Sequence, residues 1–213
     1  MKSLRQAMRA VLLSKHARRR RKVRRGQALL EFALFVPLLM FMVVGATDVS
    51  TLLDDHLNVV YAARAGARVG SVIGNYAPGG STDFTADCAV LGAVQAALSN
   101  SPNVQIQQIA IYKAPSDGVY SSSLPQDIYP GNATCASSGQ PSPGASQATW
   151  IPQDRSTTPF TEDSIGVAIS YSYSFQFSPL GGTTFASTDY AVMPIEIVVG
   201  TPPATTPPPT PSA

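Results

Sequence analysis

"GQALLEFALFVPLLMFMVVGATDVSTLLDDHLNVVYAARAGARVGSVIG", residues 26–74, changes character partway along. From Ala28 to Ala46, nineteen residues hold a single charge, Glu31. As a helix at about 1.5 Å per residue they span about 28 Å, close to the roughly 30 Å hydrocarbon core of a bilayer. A helix of this length buried in a globular domain would carry a polar stripe, and none breaks the run. Residues 27–47 are therefore predicted to be a transmembrane helix. Pro37 removes a backbone donor and is expected to bend it, which membrane helices tolerate.

Residues 48–74 read as an amphipathic stalk that continues the same helix. Val49, Leu52, Leu53, Leu57, Val60, Ala63 and Ala67 recur at three- and four-residue spacing and form the expected apolar face. Asp54, Asp55, Asn58, Arg64 and Arg68 fall mostly elsewhere. One long helix is thus expected to begin near Gln27 and run to about Ser71, where Gly74-Asn75 and "APGG" stop it.

Charge orients the span. Residues 1–25 hold eleven of the fifteen Lys and Arg and no acid, ending in "ARRRRKVRR". Residues 26–213 hold four basic against thirteen acidic residues, a net −9. Such a block in isolation would suit nucleic-acid phosphates. Directly before an apolar span it reads as a topogenic leader, residues 1–26, that stays cytoplasmic. The rest of the chain is expected outside the cytoplasm, with no nucleic-acid partner.

Downstream, residues 75–200 read as one extracytoplasmic α+β domain. "TADCAVLGAVQAALSN" carries a short Ala-rich helix expected over 85–99, with Val90, Leu91, Val94 and Leu98 on one side. "VQIQQIAIYK", 104–113, reads as a strand. Residues 114–160, rich in Pro, Ser and Gly without a period, read as loop. "IGVAISYSYSFQF", 165–177, alternates Val167, Ile169, Tyr171, Tyr173, Phe175 and Phe177 with small or polar residues, a strand with one face to a core and one to water. "DYAVMPIEIVV", 189–199, is a second strand that Pro194 places at an edge or a bulge. "TPPATTPPPTPSA", 201–213, is a disordered or polyproline tail. The fold expected is α+β: a long N-terminal helix whose outer half covers the apolar face of a small antiparallel sheet, plus a second short helix.

No catalytic apparatus is legible. The histidines are His16, in the leader, and His56, on the stalk. Asp54, Asp55 and His56 are adjacent on a helix and point apart, so they read as a solvated face rather than a metal site. No GxSxG, GxxxxGK[ST] or HExxH occurs. "APGGST" and "PLGGTT" read as turns, and "NAT" at 132–134 is a glycosylation sequon in form alone. No metal, cofactor or small-molecule substrate is expected. Cys88 and Cys135, both past the span in an oxidising compartment, are expected to pair. The loop they close is worth roughly 4 kcal/mol in the chain-entropy model.

The remaining oddity is Glu31. A carboxylate in a membrane helix is expensive and implies a role. A cut between Gly26 and Gln27 would make Glu31 the fifth residue of the mature chain, one turn from a new α-amino group. Paired with an amine across subunits, the carboxylate would set axial register.

Arg24-Arg25-Gly26-Gln27, Glu31-Phe32, Pro37 and Ala62-Ala63-Arg64-Ala65-Gly66-Ala67-Arg68 occur in that order. With them, residues 24–71 resemble type IV prepilins, and within these the TadE-like pilin-like proteins of tight-adherence (Flp) pilus assembly. The resemblance implies a pilin-like fold, processing by a prepilin peptidase at Gly26 and Gln27, and an assembly role for Glu31 and Phe32. It implies other pilins and pilus assembly proteins as partners and a minor, pseudopilin-like component at the cell membrane. The segment "AARAGAR" is equally read as a packing face under the sheet, with Arg64 and Arg68 on its polar flank. The alternative function is a signal-anchored envelope-binding module outside any pilus. An anchored hydrolase fits the histidine inventory poorly.

Overall fold

A computed structural model describes residues 2–77, 80, 83–136, 138–175 and 184–196, with residues 2–25 as backbone. Its elements are those of an α+β protein: a long N-terminal helix, a short second helix and a five-stranded antiparallel sheet. The chain divides into two compact units, Met1–Ser50 and Thr51–Ala213.

Helix α1, Lys2–Ile73, starts much earlier than Gln27 and passes through Pro37 without a break. The leader extends it because residues 2–25 are rich in Ala, Leu, Arg and Lys, all good helix formers, and contain neither Gly nor Pro. Helix α2 is Thr85–Leu98, and it buries Val90, Leu91, Val94 and Leu98 as the pattern predicts. Asp83 Oδ1 accepts the Thr85 backbone N–H at 2.8 Å, satisfying one free donor at its start.

Strands β1 (Val104–Lys113), β2 (Gln126–Pro130), β5 (Gln147–Ala148), β6 (Ser164–Ser174) and β7 (Thr184–Pro194) lie in the order β5-β2-β1-β6-β7. A two-stranded ribbon pairs β3 (Thr134–Cys135) with β4 (Pro141–Ser142). Cys88 of α2 is bonded to Cys135 of β3 across a Cα–Cα distance of 5.6 Å, so the expected disulfide is present. It clips the ribbon to α2 and closes a loop containing β1 and β2.

Three readings of the strands change. Residues 114–160 are not all loop, since β2 to β5 and a 3-10 turn at Pro152–Asp154 lie within them. "QDIYP" has no alternation to announce a strand. It becomes one by pairing with β1 from Tyr112↔Gln126 to Gln108↔Pro130. β7 begins at Thr184 rather than 189 and ends at Pro194, opposite Ser164 on the sheet edge, where a missing donor is tolerated. The predicted Phe177, the stretch 197–199 and the tail 201–213 lie outside the described residues.

The outer face of β6 is also not simply wet. At its N-terminal end Ala168 is buried with Ala110 and Tyr112 under Tyr120, Leu124 and Val192. The segment after β1 folds back over the sheet there. Gly166 is what lets Tyr112 lie flat, because a Cβ at this position would meet the Tyr112 ring 2.2 Å away.

The other face is the main core. Val59, Ala62, Ala63 and Ala67 of α1 share it with Val90, Leu91 and Val94 of α2 and Ile165, Val167, Ile169 and Tyr171 of β6. Here the predicted apolar stripe needs correction: Val49, Leu53 and Leu57 are exposed. The helix instead turns its small residues inward. A Cβ on Gly66 would come within 2.7 Å of Val94 Cγ2, and one on Gly70 within 2.7 Å of Ile165 Cδ1. Close approach along a smooth strip lets α2 and β6 interdigitate with the helix, which larger side chains would hold off.

Gly66→Val is therefore expected to destabilise the domain by about 1–3 kcal/mol through overpacking. Urea unfolding of the purified protein, followed by tyrosine and tryptophan fluorescence, would show it as a lower midpoint at unchanged slope.

Candidate functional site

Within Met1–Ser50, Gly26, Gln27, Glu31 and Phe32 lie on successive turns of α1, all exposed. Gln27 Nε2 donates to Glu31 Oε1 at 3.2 Å, the contact that i, i+4 spacing on a helix allows. A Cβ on Gly26 would meet nothing within 4 Å, so packing does not require the glycine. Around them Leu29, Leu30, Phe32, Leu34, Phe35, Leu38 and their neighbours up to Val43 are exposed on every side of the helix. The helix from Gly26 to Ile73 is long and apolar enough to cross a membrane, and none of its most apolar window is buried within the chain. Glu31 is thus a carboxylate inside an apolar belt whose contact within the chain is a neutral amide.

Within Thr51–Ala213, "AARAGAR" divides as its packing reading expects. Ala62, Ala63, Gly66 and Ala67 are buried, while Arg64 and Arg68 are exposed one turn apart. Leu57 and Tyr61 stand beside them, 52% and 60% exposed. The helix therefore has two working faces, a small-residue face on the sheet and an outer face of large apolar and cationic side chains.

The first turns of this unit are held by polar contacts that local pattern did not reveal. Thr51 Oγ1 lies 2.9 Å from Tyr173 Oη, and Asn58 Nδ2 donates to Ser101 Oγ at 3.1 Å. The His56 side chain is 42% exposed, yet it is tied to the sheet: its Nδ1 lies 3.0 Å from Tyr171 Oη and 3.1 Å from Asp189 Oδ2. Asp55 departs from the predicted solvated face, since it is buried and accepts from Asn103, whereas Asp54 faces solvent, so the three neighbours diverge as helix geometry requires. Burial, followed by the hydrogen bond to Asp189, pushes the Tyr171 hydroxyl up to about 12. These groups meet because alternate residues of β6 and β7 face the helix, a register that the helix sequence does not contain.

At the other end of the domain sits its most concentrated charge. Arg155 is fully buried, with Nη2 2.6 Å from Asp87 Oδ1 and 3.2 Å from Asp127 Oδ2. Its Nη1 donates to the Gly74 carbonyl at 2.8 Å, and its Nε and Nη2 reach the Trp150 carbonyl at 3.3 and 3.1 Å. The guanidinium lies 4.7 Å from the centre of the Trp150 ring. Tyr129 Oη donates to Asp87 Oδ2 at 2.6 Å, and Asp127 Oδ1 accepts the Trp150 N–H at 3.0 Å. Burial, then the Asp87 carboxylate, pushes the Asp127 carboxyl up to about 6, against the Trp150 N–H and Arg155, which pull it down. Sequence inspection missed this group because its members come from α2, β2 and the segment after β5. The one available signal was an isolated arginine, the single basic residue of the stretch 114–160.

The cluster is structural, and its chemistry sets how stability varies with pH. A carboxyl whose pKa rises on folding holds its proton more tightly in the folded state. Its contribution is present below the ordinary 3.8 and lost as pH rises through about 6. Asp127→Asn is expected to flatten that decline, a difference on the order of 3 kcal/mol between about pH 4 and pH 7. Arg155→Leu strands two buried carboxylates and is expected to destabilise by about 3–5 kcal/mol near neutral pH. Urea midpoints of parent and variants across this range check both.

Comparison with known proteins touches the first site alone. No curated protein and no solved structure matches the chain. Residues 26–68, from the glycine of the predicted cut to the second arginine of "AARAGAR", match the family model described as TadE-like protein.

Proposed function

We propose that the chain is a minor pilin-like component that takes part in assembling a tight-adherence (Flp-type) pilus at the bacterial cell membrane. The observation that carries this reading is the TadE-like match over residues 26–68, set on a helix whose apolar belt encloses one carboxylate. In this reading the basic leader stays cytoplasmic, residues 27–47 cross the membrane once, and the α+β domain lies outside. A prepilin peptidase cuts between Gly26 and Gln27. The partners are the membrane, the peptidase, other pilins and the assembly proteins, and the role needs no catalytic group or cofactor of the chain's own.

The chemistry of the segment supports the order of events. Before the cut, Glu31 has the amide of Gln27 one turn away. The cut adds a positive α-amino group on Gln27, one helical turn from Glu31. A carboxylate and an ammonium in hydrocarbon stabilise each other strongly, and the same pair formed between neighbouring chains sets their axial register. The apolar belt supplies lateral contact without direction, and the ion pair supplies the position.

Two measurements test this. Glu31→Ala is expected to leave the protein membrane-bound while removing it from the sheared pilus fraction; normal recovery there would sink the register role. Mass spectrometry of the membrane form from peptidase-positive cells is expected to find Gln27 at the N-terminus, and an intact leader would reject the cut.

A further inference from the structure

Phe160 is 98% exposed and has φ 69, a left-handed backbone that bulky side chains rarely adopt. It follows Pro159 in the turn closed by Thr161 N–H to the Thr158 carbonyl, 3.0 Å, at the place where Gly or Asn would sit with less strain. The turn is rigidly based. Ser156 N–H donates to Asp163 Oδ2 at 2.9 Å, Asp163 N–H to the Ser156 carbonyl at 3.0 Å, and Lys113 Nζ holds Asp163 Oδ1 at 2.7 Å. Glu162 beside it is exposed. The loop is anchored at the C-terminal end of α1, through Asn75 Nδ2 to Thr157 Oγ1 at 3.2 Å and Arg155 to Gly74.

The chemical counterpart of this acidic, aromatic tip lies on the same chain. Residues 26–213 contain four Lys and Arg. Lys113 is paired with Asp163 and Arg155 is buried, which leaves Arg64 and Arg68 as the cations without an acidic partner among the described residues. They flank Leu57 and Tyr61 on the outer face of α1. Phe160 does not touch that face in its own molecule, because it is almost wholly exposed.

We propose that the Phe160 tip of one copy docks on the outer face of α1 of a second copy, with the ring against Leu57 and Tyr61 and Glu162 against Arg64 and Arg68. This rests on the reading that the chain stands beside neighbouring chains in an assembly, and adds that one such neighbour is a second copy. Two different surfaces meet, so the contact is head-to-tail and can repeat. The loop is anchored at Gly74–Asn75, about twelve residues beyond the middle of the Leu57–Arg68 patch, so parallel neighbours are displaced along α1 by roughly 18 Å. Copies at one level cannot make the contact, and axially staggered copies can.

The test co-expresses two tagged full-length copies in cells that carry the assembly machinery, one with Thr161→Cys and the other with Leu57→Cys. A mixed disulfide between the tags is expected. It should fall severalfold when the first copy also carries Phe160→Asn, which suits the left-handed backbone and removes the ring, or Glu162→Lys. The Glu162→Lys loss should be recovered when the second copy carries Arg64→Glu and Arg68→Glu. No cross-link, or one indifferent to these changes, overturns the contact whether or not the protein reaches the pilus fraction. A cross-link that responds to them in cells whose pilus fraction lacks the protein supports the contact and overturns the pilus reading instead.

Discussion

A single guanidinium ties together four segments of the domain. Arg155 reaches the end of α1 at Gly74, α2 through Asp87, β2 through Asp127, and the segment after β5 through the Trp150 carbonyl. Its charge leaves water completely, which would be prohibitive without partners. Two carboxylates and two carbonyls make burial tolerable, and the fork geometry of the guanidinium dictates where each must stand. The irregular stretch between β1 and β6 acquires a defined path because its polar groups can be satisfied there and nowhere else. A hydrophobic cluster of the same volume would be at least as stabilising, yet it would specify those four positions less sharply.

The apolar core has the opposite character. Its contacts between α1, α2 and β6 are set by shape, through residues too small to hold the elements apart. Small residues on the inner face leave the larger apolar side chains to point outward. That inversion gives α1 an outer surface available for other chains, and it separates the two tasks of the helix. The polar row from Thr51 to Asn58 lies between these regimes, with hydrogen bonds to the sheet and to Ser101 in place of close packing.

Legibility followed the range of the causes. β1 was readable from residues 104–113 and α2 from its Ala-rich, four-residue pattern, because each pattern repeats within one element. β6 was readable for its inner face and misread for part of its outer face. Ala168 and Gly166 look like solvent-side residues until Tyr120 and Leu124 return to cover them. The face of α1 was read in part: Ala63 and Ala67 are buried as expected, but Val49, Leu53 and Leu57, grouped with them by spacing, point outward because close approach favours the small residues. The contacts of His56 were not legible because its partners, Tyr171 and Asp189, lie more than a hundred residues away.

By itself the sequence determined the long helix with its apolar first part, the lone Glu31 near Gly26, the charge split, the antiparallel strands and a pair of cysteines able to bond. All are properties of composition and short-range period, which any conformation of the chain carries. The tertiary structure alone decided which side of α1 meets the sheet, that "QDIYP" is a strand, that Asp87, Asp127 and Arg155 form one buried cluster, and that Phe160 stands free. Each of these depends on desolvation and packing between residues distant in sequence, and such energies exist only once the chain has brought them together.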